Sequence, residues 1–182
     1  MNGKEILVVV DMQNDFIDGA LGTKEAVAIV PAVEEVIKAH KGAVYFTRDT
    51  HEENYLETQE GKNLPVEHCI QFTEGWTVNQ KLIDAARQNV EKSRWDYFTK
   101  PTFGYATQLS NKIYKMLEGK EVNQIEFVGT CTDICVISNV LGLKEHMPDV
   151  DIVVHGNMCA GLNREAHDAA LLVMKSCQVK VV

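Results

Sequence analysis

The sequence predicts an α/β protein: a three-layer α/β/α sandwich on a six-stranded, mainly parallel, doubly wound sheet. Three observations carry this expectation. Short β-branched runs alternate with helical patterns along the whole chain. The first run, Ile6-Leu7-Val8-Val9-Val10, is apolar without interruption, as suits a strand buried on both faces. The chain has 182 residues and no composition break, which fits one domain over residues 1–182.

The elements follow in order. Ile6–Val10 is the first strand. Pro31–His40 carries apolar residues at Ala32, Val33, Val36, Ile37 and Ala39 and reads as an amphipathic helix, with Pro31 at its first position and Gly42 after its end. Ala43–Thr47 is the second strand. A long irregular stretch from Asp49 to Gly75 follows, and long ordered loops are often functional. Val78–Ala86 is helical and Val90–Trp95 a short strand. Ala106–Leu117 is a helix closed by Gly119, and Ile125–Val128 a strand. Thr132–Lys144 is a helix whose opening Thr-Asp suits the cap and first turn. Asp151–Val154 is a strand, Arg164–Lys175 a helix and Val179–Val182 the last strand.

Composition excludes several function classes. A formal net charge of -8 speaks against nucleic acid and against an anionic membrane surface as partner. No apolar run approaches the roughly 18–20 residues of a membrane span, and Ile6–Val10 is too short for a signal peptide's apolar core. Five cysteines in no disulfide-like spacing point to reduced thiols, and together these features predict a cytoplasmic protein. No Gly-rich phosphate loop follows the first strand, which sets nucleotide binding aside.

In a doubly wound sheet, ligands sit beyond the carboxyl ends of the strands. The polar residues expected there are Asp11, Asp49 and His51, the Thr130–Cys135 segment, and Asn157–Cys159. Cys135 lies in the first turn of a helix, where the dipole favours thiolate and free N–H groups can face an oxyanion. A small, inert buried cysteine explains the same position. Asp11 closes an apolar strand, either as a working carboxylate or as a cap on the next turn. Lys100 stands in a Thr-Lys-Pro-Thr-Phe segment that reads as a loop, where a solvated charge is the ordinary reading. Asp49-x-His51, Glu60 and His68 offer a mixed nitrogen and oxygen donor set for a metal. A metal-free surface loop explains them equally well, and Glu52, Glu53 and Glu57 compete with Glu60 for the fourth place.

Four segments, taken together, resemble the isochorismatase-like cysteine hydrolases and, within them, the nicotinamidases. They are Val8-Val9-Val10-Asp11-Met12-Gln13-Asn14-Asp15-Phe16, Thr47-Arg48-Asp49-Thr50-His51, Lys100-Pro101-Thr102-Phe103 and Gly129-Thr130-Cys131-Thr132-Asp133-Ile134-Cys135-Val136. The resemblance implies Cys135 as nucleophile, Asp11 as general base and acid, and Lys100 as the cation favouring thiolate. It implies a cis bond between Thr130 and Cys131, and an oxyanion hole from the N–H groups of Cys131 and Cys135. It carries over Asp49, His51 and His68 as metal ligands, with Glu60 in the further position, for a divalent ion: zinc, with iron or manganese as alternatives. The implied reaction is hydrolysis of a small amide, nicotinamide to nicotinate and ammonia, which places the chain in NAD salvage. Another small amide or carbamoyl compound, or a catalytically inactive binding member, are the alternatives. The bulky aromatic usual before the Pro-Pro-His segment is replaced here, in Leu64-Pro65-Val66-Glu67-His68. Ring contact then falls to Phe16, Phe103 or Tyr105, with Leu64 nearest the missing aromatic. The family often forms oligomers, so a homo-oligomer is compatible with the resemblance.

Overall fold

The computed structural model describes residues 4–89, 95–117 and 122–182. Among them, six parallel strands form one sheet: β1 (Lys4–Val10), β2 (Ala43–Asp49), β3 (Trp95–Lys100), β4 (Val122–Thr130), β5 (Asp151–Ala160) and β6 (Lys180–Val181). The order across the sheet is β3-β2-β1-β4-β5-β6. The helices are α1 (Asn14–Ile17), α2 (Lys24–Ala39), α3 (Gln59–Asn63), α4 (Gln80–Gln88), α5 (Ala106–Leu117), α6 (Ile137–His146) and α7 (Arg164–Ser176), with a 3₁₀ turn at Tyr55–Glu57 and a wider π-type turn at Thr132–Val136.

The two faces of β1 explain its unbroken apolar run. Ile6, Val8 and Val10 pack with Leu109, Ile113, Val140, Leu143 and Met174 from α5, α6 and α7. Leu7 and Val9 pack with Ile29, Val33, Ile37, Leu82 and Ala86 from α2 and α4. Helices therefore cover both faces, and the expected three-layer sandwich is observed.

Several local expectations need correction. The helix does not begin at Pro31. It begins at Lys24, capped by the Thr23 hydroxyl, which accepts from Ala26 N at 3.0 Å. Pro31 lies inside α2 on an exposed face, where the carbonyl it leaves unpaired can be hydrated. The long irregular stretch contains a 3₁₀ turn and α3, and α1 follows β1 closely. The third strand runs Trp95–Lys100; of the expected Val90–Trp95 strand, residues 90–94 lie outside the described residues, as does Gly119. Lys100 is therefore the last residue of a strand and not part of a loop. Thr132 and Asp133 do not cap a helix: Thr132 Oγ1 pairs with His167 Nδ1 at 2.8 Å, and Asp133 Oδ1 accepts from Leu162 N at 3.0 Å. Asn157–Cys159 belong to β5 itself.

The order of strands reverses between β1 and β4, and there the chains come very close. Gly129 of β4 has φ +122°, and a Cβ on it would sit 2.1 Å from the Val10 carbonyl oxygen. Only glycine fits both the backbone angle and the space. Gly129→Ala is expected to destabilise the protein by more than the roughly 1–3 kcal/mol of the strained backbone alone, because Val10 must also move. Urea unfolding of the variant against wild type checks this; equal midpoints would remove the close approach as a constraint.

Candidate active site and metal centre

At such a reversal the loops leaving the two strands diverge and open a crevice at the strands' carboxyl ends. Asp11 follows β1 on one side, with a left-handed φ of 45°. Cys135 follows β4 on the other, after a cis bond between Thr130 and Cys131. The π-type turn places the sulfur: Ile134 N and Val136 N both donate to the Cys131 carbonyl, at 3.1 and 3.0 Å. Lys100 comes from farther off, at the end of β3 in register with Asp49 of β2. Its long stem is what lets the ammonium reach across to β1 and β4.

The three side chains meet out of solvent: Asp11 and Lys100 are 0% exposed and Cys135 is 4% exposed. Lys100 Nζ lies 2.7 Å from Asp11 Oδ2, 3.5 Å from Asp49 Oδ1 and 3.6 Å from Cys135 Sγ, and donates to Thr102 O at 3.0 Å. Asp11 Oδ1 accepts from the Thr47 hydroxyl at 2.6 Å, and Thr47 Oγ1 in turn accepts from Asp11 N at 3.1 Å. Oδ2 makes its ion pair with Lys100 but has no partner of regular hydrogen-bond geometry.

One buried cation thus faces two carboxylates and a thiol. Burial by itself would discharge Lys100, but Asp11, Cys135 and Asp49 outweigh it and hold its pKa above the ordinary value. Burial raises Asp11 against the pull of Lys100. Burial, and then the charge of Asp11, push the Cys135 thiol well above its ordinary pKa in spite of Lys100. Desolvation and two carboxylates stand against one ammonium, so these surroundings favour the neutral thiol where the helix position and Lys100 alone favour thiolate.

The second cluster adjoins the first through Asp49. Asp49, His51, Glu60 and His68 offer ligand atoms that all lie within 4.8 Å of one another. Asp49 Oδ2 is 3.1 Å from His51 Nε2 and 3.7 Å from His68 Nε2, and His51 Nε2 is 3.7 Å from Glu60 Oε1. His68 Nδ1 bonds the Val66 carbonyl at 2.8 Å, which assigns its proton to Nδ1 and leaves the Nε2 lone pair facing the cluster. Burial raises Asp49, yet the His51 hydrogen bond and Lys100 prevail and hold it low; burial lowers His51, yet Asp49 prevails and holds it high. Two imidazoles and two carboxylates, one His already oriented from behind, fit a divalent transition-metal ion.

The residues expected to touch a ring are placed unequally. Phe16 is buried and stands edge-on to His68, with ring centroids 5.5 Å apart. Tyr105 packs against the core, and its N–H donates to Asn139 Oδ1 at 2.9 Å. Phe103 is exposed and offers its carbonyl to Asn139 Nδ2 at 3.2 Å. Leu64 is exposed and offers its carbonyl to the Tyr55 hydroxyl at 3.0 Å.

Sequence reasoning passed over four kinds of support. Thr47 holds Asp11. Tyr55, fully buried, packs its ring 4.6 Å from His51 and 5.0 Å from His68. Asn139 ties the Phe103–Tyr105 segment to the turn that carries Cys135, with Nδ2 donating to Cys135 O at 2.8 Å. Gln13 bonds the backbone of Asp49, and Asp15 that of Cys69, beside His68. Gln13, Asp15 and Thr47 lie in the segments that carry the family resemblance, and Asn139 is a poor helix former one turn after Cys135.

A family model, the isochorismatase domain, matches residues 5–182. The isochorismatase family protein PncA of Bacillus subtilis is 28% identical over 175 residues, 92% of each chain. The solved nicotinamidase/pyrazinamidase PncA from Bacillus subtilis is 26% identical with a TM-score of 0.78, over 98% of this chain and 99% of that one. The pyrazinamidase of Pyrococcus horikoshii, solved in complex with zinc, is 29% identical with a TM-score of 0.76, over 98% of both chains. With its doubly wound sheet, its crevice at the β1/β4 reversal and a family match over nearly its whole length, the chain belongs to the isochorismatase family of hydrolases.

Proposed function

We propose that residues 1–182 form one catalytic domain, a cytoplasmic cysteine amidohydrolase that converts nicotinamide to nicotinate and ammonia through a thioester on Cys135. The observation that carries the reading is the buried Lys100 ammonium, 2.7 Å from Asp11 Oδ2 and 3.6 Å from Cys135 Sγ. A cation at that point stabilises negative charge on either neighbour, so a proton can pass between them at low cost.

The steps follow from that arrangement. Attack of the Cys135 sulfur on the amide carbonyl is coupled to transfer of the thiol proton to Asp11. Thr47 keeps Asp11 Oδ1 occupied, which directs the proton to Oδ2. Charge forming on the substrate oxygen faces the N–H groups of Cys131 and Cys135. Asp11 then delivers the proton to the departing ammonia, takes one from the water that attacks the thioester, and returns it to the Cys135 sulfur as the C–S bond breaks. Lys100 stays charged throughout.

Asp49, His51, Glu60 and His68 would hold a divalent ion, zinc or alternatively iron or manganese, which would supply Lewis-acid anchoring for a ring nitrogen. The zinc complex of the pyrazinamidase neighbour supports that choice of metal. Phe16, edge-on to His68, would border a ring held there, and Phe103, Tyr105 and Leu64 remain candidates for further ring contact.

The test is ammonia release from a panel of small amides and carbamoyl compounds led by nicotinamide, with metal content measured on the same sample. Nicotinamide is expected to be the best substrate; release from a carbamoyl compound alone would move the chain to another branch of the family. Chelation is expected to raise the KM for nicotinamide by at least about tenfold, with a smaller change in kcat. Equal kcat/KM in chelated and metal-loaded enzyme would take the metal out of substrate binding.

A further inference from the structure

The loop that leaves β1 meets the donor cluster at two places, through side chains that do not themselves face it. Gln13 is completely buried. Its Oε1 accepts from Asp49 N at 2.7 Å, and its Nε2 donates to Asp49 O at 2.9 Å and to Trp76 O at 2.9 Å. The side chain has one amide oxygen and two amide hydrogens, and all three are engaged.

The reason lies in the sheet. β1 pairs with β2 only as far as Val9 with Phe46, then turns away at Asp11. β2 continues to Asp49, whose other neighbour is Lys100 of β3. On the β1 side, Asp49 would be left with a buried N–H and C=O and no strand to meet them. The Gln13 amide takes the place of the missing peptide and extends the ladder by one residue, at the residue whose carboxylate joins Lys100 to the two histidines.

Asp15 does the same for the other donor segment. Its Oδ2 accepts from Cys69 N, the residue after His68, at 2.7 Å. The contact is tight: a Cβ on Gly75 would lie 2.1 Å from Asp15 Oδ2. The Cys69 carbonyl in turn accepts from His51 N at 3.0 Å, so one carboxylate fixes the segment that carries His68 and braces His51.

We propose that Gln13 and Asp15 are positioning residues for the metal centre: the loop after β1 sets the spacing of Asp49, His51 and His68, so metal affinity depends on two side chains that bind no metal. The inference rests on reading the donor cluster as a metal site. Between the two stands a built-in control. Asn14 Nδ2 donates to Glu74 O and Thr77 Oγ1, both at 3.0 Å, and so ties the same loop down without touching a donor segment.

The experiment measures zinc affinity of the full chain by competition with a chromophoric chelator, alongside thermal unfolding of the metal-free proteins. Gln13→Leu and Asp15→Ala are expected to weaken zinc by about 10–100-fold, as loss of a partner behind a metal ligand does. Asn14→Ala is expected to stay within about twofold of wild type. Should Gln13→Leu fail to fold, Asp15→Ala and its rescue by Asp15→Asn, which keeps an acceptor for Cys69 N, carry the test. Wild-type affinity in the folded Gln13 and Asp15 variants, or an equal loss in Asn14→Ala, overturns the proposal and leaves the metal centre standing. A wild-type chain that takes up no zinc overturns the metal reading itself, and this inference with it.

Discussion

Cys135→Ala is expected to lower ammonia release from nicotinamide by about 10⁴-fold or more while the fold stays intact. Alanine fits the site: the sulfur is buried, small and only one of four neighbours of the Lys100 ammonium. Its removal leaves the Asp11–Lys100 pair in place, so stability should change by about 1 kcal/mol at most. Steady-state ammonia assays and a circular-dichroism melt check the two halves separately. Retained turnover would remove Cys135 as nucleophile. The thiol has a second signature. Burial and the Asp11 carboxylate hold its pKa above that of a free cysteine. Alkylation of Cys135 by iodoacetamide should therefore keep accelerating at pH values where a small free thiol such as N-acetylcysteine has levelled off. A plateau at lower pH than the free thiol would mean a standing thiolate and a different first step.

Lys100→Met is expected to damage both stability and catalysis. The ammonium is the cation shared by Asp11 and Asp49, at 2.7 and 3.5 Å, and none of the three is solvated. Methionine matches the stem and removes the charge, which leaves two buried carboxylates facing each other. Breaking a buried pair in this way costs about 3–5 kcal/mol, or a fall in Tm of about 10 °C for a chain of this size. The deficit should depend on pH in a defined sense. Without Lys100, Asp11 has lost the partner that opposes its upward shift, so its folded pKa lies higher still above the unfolded value. A group with a raised folded pKa contributes most below its unfolded pKa and loses that contribution as pH rises through the folded one. The variant's deficit should therefore be small under acid conditions and grow with pH. Turnover should fall at every pH, because the proton shared by Asp11 and Cys135 no longer has a cation beside it. A variant of wild-type stability and kcat would show that the two carboxylates are balanced by something other than Lys100.

Much of the scaffold was legible because burial on both sheet faces leaves a plain mark. Ile6–Val10 reads as a strand from its composition alone, and so do Ala43–Thr47 and Ile125–Val128. Helix entries were less legible. Pro31 is a good first residue for a helix, yet Thr23 caps α2 and Pro31 stays inside it, since its exposed side tolerates a missing N–H. The segment carrying Cys135 looked like an ordinary capped helix. It opens instead as a π-type turn, because Thr132 and Asp133 bond to α7 and the chain before it and not to their own turn.

For the site, the sequence by itself determined which residue types are present and in what order: an aspartate ending an apolar strand, an Asp-x-His pair, a lysine before a proline, and a cysteine after a β-rich run. From these and the family likeness, Asp11, Lys100, Cys135 and the four metal donors could be named. Only the tertiary structure decided how they are charged and coupled. Lys100 passes for a solvated surface residue until β3 is set beside β2, when its ammonium falls between two carboxylates and a thiol. The upward push on the Cys135 pKa, the Asp49 carboxylate shared between two clusters, and the Gln13 amide standing in for a strand are likewise invisible in one dimension. Desolvation and Coulomb interaction depend on distance through space, and here the partners come from strands far apart in the chain.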